Sequence, residues 1–313
     1  MIITVTLNAA LDRSVTVPIL KLGQRHRASD VLTLAGGKGI NVARALKRLD
    51  HPVVATGLAG GRTGTRIVEQ LTEESILNDF VRIRQESRTS TLVVDPTSGT
   101  QTEINEWGPK VSDTELEMLL DKVRYLSRSA EAVVLAGSLP RGVADGFYAD
   151  AVRELARRGV RVALDTEGEP LRLGLEPWLV SPNQHEAEQL VGQELFDEED
   201  FLMALETIAE MGARNVHITL ENGCFALVRE ERQVRRYRAV TPRLEPVSVV
   251  GAGDAFLAQW LTAVLDDASA EDALRLASAA GAASVLEVGA GRFDPAEARR
   301  LLPAVEVHEL AHA

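Results

Sequence analysis

Val249-Val250-Gly251-Ala252-Gly253-Asp254 runs directly into the apolar-periodic stretch Ala255-Phe256-Leu257-Ala258-Gln259-Trp260-Leu261. A small-residue loop that opens a helix gathers free backbone N–H groups and the positive end of the helix dipole at one point. A carboxylate at that point, Asp254, could take a proton from an acceptor hydroxyl while the amides of Gly251, Ala252 and Gly253 hold a transferring phosphoryl group. The same residues also suit an N-capping Asp after a flexible turn. This segment alone leaves both readings open.

A second glycine-rich segment, Ala35-Gly36-Gly37-Lys38-Gly39-Ile40-Asn41-Val42-Ala43, also leads into a helical pattern. Its glycines let backbone approach a ligand closely. Lys38 adds a point charge suited to a phosphate or a polar sugar, and Asn41 can donate to and accept from a hydroxyl. No Ser or Thr follows Gly-Lys, so this is not a Walker A loop. The run Gly57–Gly64 has the wrong spacing for a dinucleotide fingerprint and reads as a structural turn. In Ser181-Pro182-Asn183-Gln184-His185-Glu186, Asn183 and Glu186 share one helical face. Such oxygen ligands suit Mg²⁺ held mostly through water, and they are equally ordinary capping choices. The scattered histidines and the single Cys224 have no zinc-like spacing, and Cys224 reads as a core thiol.

These residues need a scaffold to bring them together, and the pattern indicates one. Candidate strands at 2–7, 53–57, 132–136, 160–165, 178–181, 216–220 and 224–229 alternate with amphipathic helices at 41–49, after a capping box at 112–115, and at 146–158, 197–211, 255–265, 270–287 and 295–302. That alternation predicts a three-layer α/β sandwich with a mostly parallel central sheet, in a single domain over residues 1–313. Two stretches break it. Residues 12–34 read as extended, and 88–107 read as a hairpin turning at Asp95-Pro96-Thr97-Ser98-Gly99. Together they predict a small separate sheet that covers the site as a lid, in preference to edge strands of the main sheet.

Composition narrows the partners. The 313 residues include 34 Lys and Arg against 46 Asp and Glu, a formal charge of −12, which argues against a nucleic-acid surface. An anionic substrate must then be caught by a few local cations. No apolar run approaches the length of a membrane span. Met1–Leu7 lacks a basic leader and reads as a first strand, and one cysteine fits a reducing compartment, so the expected location is cytoplasmic.

The combination of motifs is recognisable. Asn8-Ala9-Ala10-Leu11-Asp12, Gly-Gly-Lys-Gly-Ile-Asn at 36–41, Ala136-Gly137-Ser138-Leu139-Pro140, Asn183 with Glu186, and Gly251-Ala252-Gly253-Asp254 occur in the order seen in ribokinase-like sugar kinases. Over essentially its whole length the chain resembles the phosphofructokinase B branch, which includes 1-phosphofructokinases and tagatose-6-phosphate kinases. The resemblance implies ATP as phosphoryl donor, Mg²⁺ as cofactor and Asp254 as catalytic base beside an anion hole of Gly251, Ala252 and Gly253. It implies Mg²⁺ organised by Asn183 and Glu186, nucleotide contacts at Asn183, Thr219, Gly223, Gly251 and Gly253, and sugar contacts at Asp12, Gly37, Lys38, Asn41 and Ser138. Arg88 corresponds to an arginine that holds the phosphate already on the substrate, a task that suits a bidentate guanidinium. In relatives the lid also forms a dimer contact, so a homodimer is expected.

The chain departs from the family pattern at several points. Ala9 stands where Pro is usual and Ala136 where Ser is common. Thr219-Leu220-Glu221-Asn222-Gly223 replaces a longer nucleotide loop and adds a negative charge, and Gln24 lies near where some relatives carry a lid Lys, a role open to Arg25 or Arg27. Asn105-Glu106-Trp107-Gly108-Pro109 resembles a stretch of 1-phosphofructokinases. Fructose 1-phosphate therefore ranks first as substrate, ahead of tagatose 6-phosphate and fructose 6-phosphate. A non-catalytic sugar-phosphate sensor is the competing class, and Asp254, Asn183 and Glu186 together argue against it. An NAD-dependent oxidoreductase would need a strand-linked G-x-G-x-x-G, which is missing.

Overall fold

The computed structural model describes residues 1–174, 176–230 and 233–311. The chain opens with β1 (Ile2–Thr6), β2 (Ala10–Thr16) and β3 (Asp30–Gly36), followed by α1 (Lys38–Arg48). Then come β4 (Val53–Gly60), α2 (Gly61–Glu73), β5 (Leu77–Ile83), β6 (Arg88–Asp95), β7 (Thr100–Asn105) and α3 (Asp113–Leu126). The middle holds β8 (Ala132–Ala136), α4 (Phe147–Arg157), β9 (Arg161–Asp165), α5 (Gly168–Leu173), β10 (Leu179–Val180), α6 (Gln184–Val191) and α7 (Glu198–Glu210). The last part comprises β11 (Asn215–Leu220), β12 (Gly223–Glu230), β13 (Gln233–Val240), α8 (Ala252–Leu265), α9 (Ala270–Ser284), α10 (Pro295–Leu301) and β14 (Glu306–Leu310).

A ten-stranded sheet in the order β14-β13-β12-β11-β10-β9-β8-β1-β4-β5 forms the middle layer. It is parallel from β5 to β11, and β12, β13 and β14 add antiparallel strands at one end. Both faces of the parallel part are covered, as its near-continuous apolar strands require. Alternation along β1 shows how: Ile2 packs with Ile40, Leu46, Phe256 and Trp260 of α1 and α8, while Ile3 and Val5 pack with Leu119, Tyr148 and Leu205 of α3, α4 and α7. The sandwich predicted from strand–helix alternation is the one observed.

The two stretches that broke the alternation form their own sheet, in the order β3-β2-β6-β7. It is mixed, with β2 parallel to β6 and the outer pairs antiparallel. Asp95, at the hairpin turn, accepts N–H bonds from Ile19 and Leu20 at 3.0 and 2.9 Å and from Thr97 at 2.9 Å. These donors, that of Leu20 above all, hold its carboxyl well below the usual carboxylate range. One side chain thus ties the 17–29 connection to the hairpin.

Several elements were not legible in the sequence. The Gly57–Gly64 run, read as a turn, is the junction of β4 and α2; Gly57, at φ 148°, lies so close to Thr6 that a Cβ would sit 1.9 Å from its carbonyl oxygen. Strand β13 carries Arg235, Arg236 and Arg238, β14 is largely exposed, and β5 lies at the sheet edge, so none shows the apolar signal of a central strand. Among the described residues no helix is long and apolar enough to cross a membrane.

His217, on β11, is fully buried edge-on to Trp260 and Phe256, with ring centroids 4.3 and 5.4 Å away, and neither ring nitrogen has a hydrogen-bond partner among the described residues. Burial pushes its pKa down to about 3. The native imidazole therefore stays neutral while the unfolded one binds a proton below about pH 6.5. Its contribution is complete above that pH and is lost progressively as pH falls toward 3. At pH 5 the loss is about 2 kcal/mol. Denaturant unfolding of wild type and His217→Leu at pH 7.5 and pH 5 should show the variant gaining that amount relative to wild type at the lower pH. An unchanged difference would show that His217 is protonated in the fold.

Candidate active site

The parallel strands end at one edge, and the loops leaving that edge converge on the N-terminus of α8. Gly251 caps this helix in the left-handed region, φ 88° and ψ 6°. A Cβ there would lie 2.6 Å from Gly291 N and 2.7 Å from Ala290 Cα, so only glycine fits. Gly253, two residues on, has nothing within 4 Å of a would-be Cβ and faces open space. The first N–H groups of α8 have no acceptor inside the helix, and that of Ala252 has only a long contact of 3.5 Å to Val249 O. Asp254 follows in the same turn, 6% exposed, and accepts from Asn41 Nδ2 at 2.9 Å. Its carboxyl is raised to about 7. Burial is the main cause, with further upward pushes from the charges of Asp165 and Asp12, opposed by Lys38 and by the Asn41 bond.

Lys38 opens α1 directly after Gly37, whose φ of 106° and close approach to Thr6 exclude a side chain. Its Nζ donates to Asp165 Oδ1 at 2.7 Å and to Glu186 Oε1 at 3.2 Å. Burial alone would lower this ammonium, but Asp165 and Glu186 overcome it and hold Lys38 above its ordinary value. Glu186 is itself raised by burial, offset in part by Lys38. Asn183 and Glu186 form a reciprocal capping box on α6, with Asn183 Oδ1 accepting from Glu186 N and Glu186 Oε2 from Asn183 N, both at 2.9 Å. The capping interpretation is therefore realised, yet Glu186 still turns its other oxygen to the cleft. Among the described residues no group of three or more His, Cys, Asp and Glu could hold a metal unaided. Asp165 and Glu186 converging on one cation nonetheless fit a divalent ion held partly by phosphate and water.

Lys38, Asp165, Asn183, Glu186, Thr219, Gly223, Gly251, Ala252, Gly253 and Asp254 all line one cleft of about 1150 Å³. At its far end Thr219 pairs with Asn183 across a parallel bridge, and Glu221-Asn222 make a two-residue hairpin loop between β11 and β12. That tight hairpin is why the segment is short. Gly223 is dictated by the neighbouring strand, since a Cβ would meet Ala239 O at 1.9 Å.

On the other side of Asn41 lies a smaller pocket lined by Asp12, Ser90, Leu92 and Glu103 from the small sheet, with Asn41, Arg44 and Val250 opposite. Asp12 is raised to about 6 by burial, against the nearby charges of Arg88 and Arg44. Arg88 Nε also donates to Asn8 O at 3.4 Å. Ser138 Oγ accepts from Asn8 Nδ2 at 3.1 Å, and the neighbouring Gly137 lies beside Lys38. Of the residues singled out in the sequence, Asp12 and Asn41 line the smaller pocket and Lys38, Asn183, Glu186, Thr219, Gly223, Gly251, Ala252, Gly253 and Asp254 the large cleft, while Gly37, Arg88 and Ser138 line neither. Asp165, Glu103 and Arg44 were missed. A carboxylate closing the apolar run Arg161–Asp165 was the available signal for Asp165, while Arg44 and Glu103 sit among other surface-type charges in sequence and only folding buries or aims them.

Comparison with known proteins finds relatives along essentially the whole chain. The model of the pfkB family of carbohydrate kinases matches residues 5–297. A 1-phosphofructokinase from Borreliella burgdorferi is 30% identical over 312 residues, covering 99% of each chain. Phosphofructokinase-2 from Escherichia coli, solved with substrates and products, superposes with a TM-score of 0.89 at 29% identity over 96% of this chain and 98% of that one. A possible 1-phosphofructokinase from Thermotoga maritima gives a TM-score of 0.89 at 27% identity over 99% and 100%.

The two glycines of the α8 turn should respond differently to alanine. Gly251→Ala places a side chain at positive φ against the Ala290–Gly291 backbone and should cost at least about 2 kcal/mol. Gly253→Ala meets nothing and should unfold within about 0.5 kcal/mol of wild type, its methyl standing in the cleft. Thermal or denaturant unfolding of the two variants checks the contrast, and equal destabilisation would refute it.

Proposed function

The chain belongs to the pfkB family of carbohydrate kinases, and from that premise we propose that it transfers the γ-phosphoryl group of ATP to the free primary hydroxyl of a ketohexose phosphate, fructose 1-phosphate yielding fructose 1,6-bisphosphate. The observation that carries this reading is the position of Asp254. Its buried carboxylate stands at the open N-terminus of α8, held by Asn41 between the large cleft and the smaller pocket. A sugar under Asp12, Asn41 and Ser138 presents its hydroxyl to Asp254, which takes the proton as the oxygen attacks phosphorus. The amides of Gly251, Ala252 and Gly253 face the charge that develops on the transferred group. Lys38 leaves its carboxylates for the phosphates of the nucleotide, whose far contacts run past Asn183, Thr219 and Gly223. Magnesium, when bound, neutralises phosphate charge, and Glu186, Asp165 and Asn183 would hold it through water.

Arg88 supports a substrate that already carries a phosphate, because the chain is acidic overall and this guanidinium lies beside the sugar-side pocket. The Asn105–Pro109 stretch and the similarity to 1-phosphofructokinases favour fructose 1-phosphate. The equal superposition on phosphofructokinase-2 keeps fructose 6-phosphate as the second reading, with tagatose 6-phosphate beside it. We read the small sheet as a lid over the sugar, and its exposed Val31, Ile104 and Trp107 as a contact to a second copy.

Magnesium-dependent ADP release, run with fructose 1-phosphate, fructose 6-phosphate, tagatose 6-phosphate and ribose, should show the highest kcat/KM for the first. Asp254→Asn should fold normally and lose about 10²–10⁴-fold in kcat. The wild-type kcat/KM should rise with pH through about 7 and level off above it, since the base works only when deprotonated. Near-normal turnover in Asp254→Asn would end the assignment. Light scattering should give twice the chain mass for wild type and the monomer mass for Ile104→Glu/Trp107→Glu; a monomeric wild type would remove the dimer reading.

A further inference from the structure

The Asn41 side chain lies between two opposite charges. Its Nδ2 donates to Asp254 Oδ2 at 2.9 Å, and its Oδ1 accepts from Arg44 Nη1 at 3.4 Å. Turned over, the amide would set its carbonyl oxygen against a carboxylate and its NH₂ against a guanidinium. The pair of charges therefore selects one orientation.

Arg44 itself is unusually committed. It lies one turn along α1, is 3% exposed, and uses every donor of its guanidinium. Nε and Nη2 fork onto Glu74 at 2.5 and 3.1 Å, Nη2 also reaches Ala35 O at 2.7 Å, and Nη1 reaches Ala290 O at 3.0 Å as well as Asn41. A structural ion pair needs only Glu74. The remaining acceptors belong to the strand before the first glycine loop, to the helix bearing Asn41, and to the segment that packs under Gly251.

We propose that Arg44 is a positioning residue for phosphoryl transfer: it locks the Asn41 amide with its NH₂ toward Asp254, so that one carboxylate oxygen is held and the other is left for the acceptor hydroxyl. The proposal rests on the reading of Asp254 as the base. Nothing in the reaction described above otherwise uses Arg44, which touches neither the cleft amides nor Lys38.

Arg44→Lys keeps the charge but offers at most three donors and no planar fork. Its kcat should fall about tenfold, the loss of one oriented hydrogen bond, with KM for ATP within about twofold of wild type. The pH inflection of kcat should move upward, because Asp254 loses a donor while the other charges facing it, Lys38, Asp165 and Asp12, stay in place. Asn41→Ala should show the same upward move, and Arg44→Lys/Asn41→Ala should be no slower than Asn41→Ala alone. A wild-type kcat and inflection in folded Arg44→Lys, or losses that multiply in the double variant, would overturn the proposal. Should Arg44→Lys fail to fold, Glu74→Gln leaves Arg44 present with a weakened fork and should shift the inflection the same way; an unmoved profile there also overturns it. A wild type that releases no ADP with any ketohexose phosphate defeats the functional reading instead, and the two failures are thereby distinct.

Discussion

Carboxylates crowd the heart of this protein, and the rest of its architecture accommodates them. Asp254, Asp165 and Glu186 are withdrawn from water, and Asp12 is partly so, around Lys38, Asn41, Arg44 and Arg88. Burying one such group unpaired costs several kcal/mol, and burying like charges together pushes their proton affinities up. Each therefore has an assigned counterpart: Lys38 bridges Asp165 and Glu186, Asn41 serves Asp254, and Arg88 and Arg44 face Asp12. The upward shifts of Asp254 and Asp12 measure how incomplete that compensation is. An incompletely compensated carboxylate near neutrality is what a proton acceptor requires.

Holding such a cluster demands that backbone come closer than side chains allow. Gly37, Gly251 and Gly291 sit where a Cβ would strike Thr6, Ala290 and Asn41 respectively. The glycine loops are thus packing solutions in their own right. Gly253 differs, since its missing side chain leaves space that nothing in the protein fills. The parallel sheet supplies the frame: its strands end together, so that Asp165, Asn183 and Thr219 leave adjacent strands at one edge.

The small sheet has another physical basis. Too short to bury a core of its own, it is anchored by Ala10 and Ala35, which are fully buried where β2 and β3 leave the main body, and by Asp95, which fastens the long connection to the hairpin. Its inner face carries Asp12, Ser90 and Glu103 toward the pocket. Polar groups on that face make sense only if something polar lies beneath it.

Much of this was legible in the chain itself. The alternation of β-branched runs and amphipathic helices determined the sandwich, and the two stretches without helices determined the second sheet, because period and burial follow directly from residue type. The glycine loops, Lys38, Asn183, Glu186 and Asp254 were legible too, since positive φ and helix N-termini leave compositional marks. The charged strands β13 and β14 were not, because β14 forms the sheet edge and β13 lies next to it, and pairing with neighbours and not apolar content makes them strands. Nor were Arg44 and Asp165. An arginine on an amphipathic helix that also carries Lys47 and Arg48 reads as solvated, and nothing local says that Ala35, Glu74 and Ala290 will surround it. Residue type determined which groups could do chemistry; only the tertiary structure decided which of them lose water and face one another, because burial and distance between segments far apart in sequence are properties of packing.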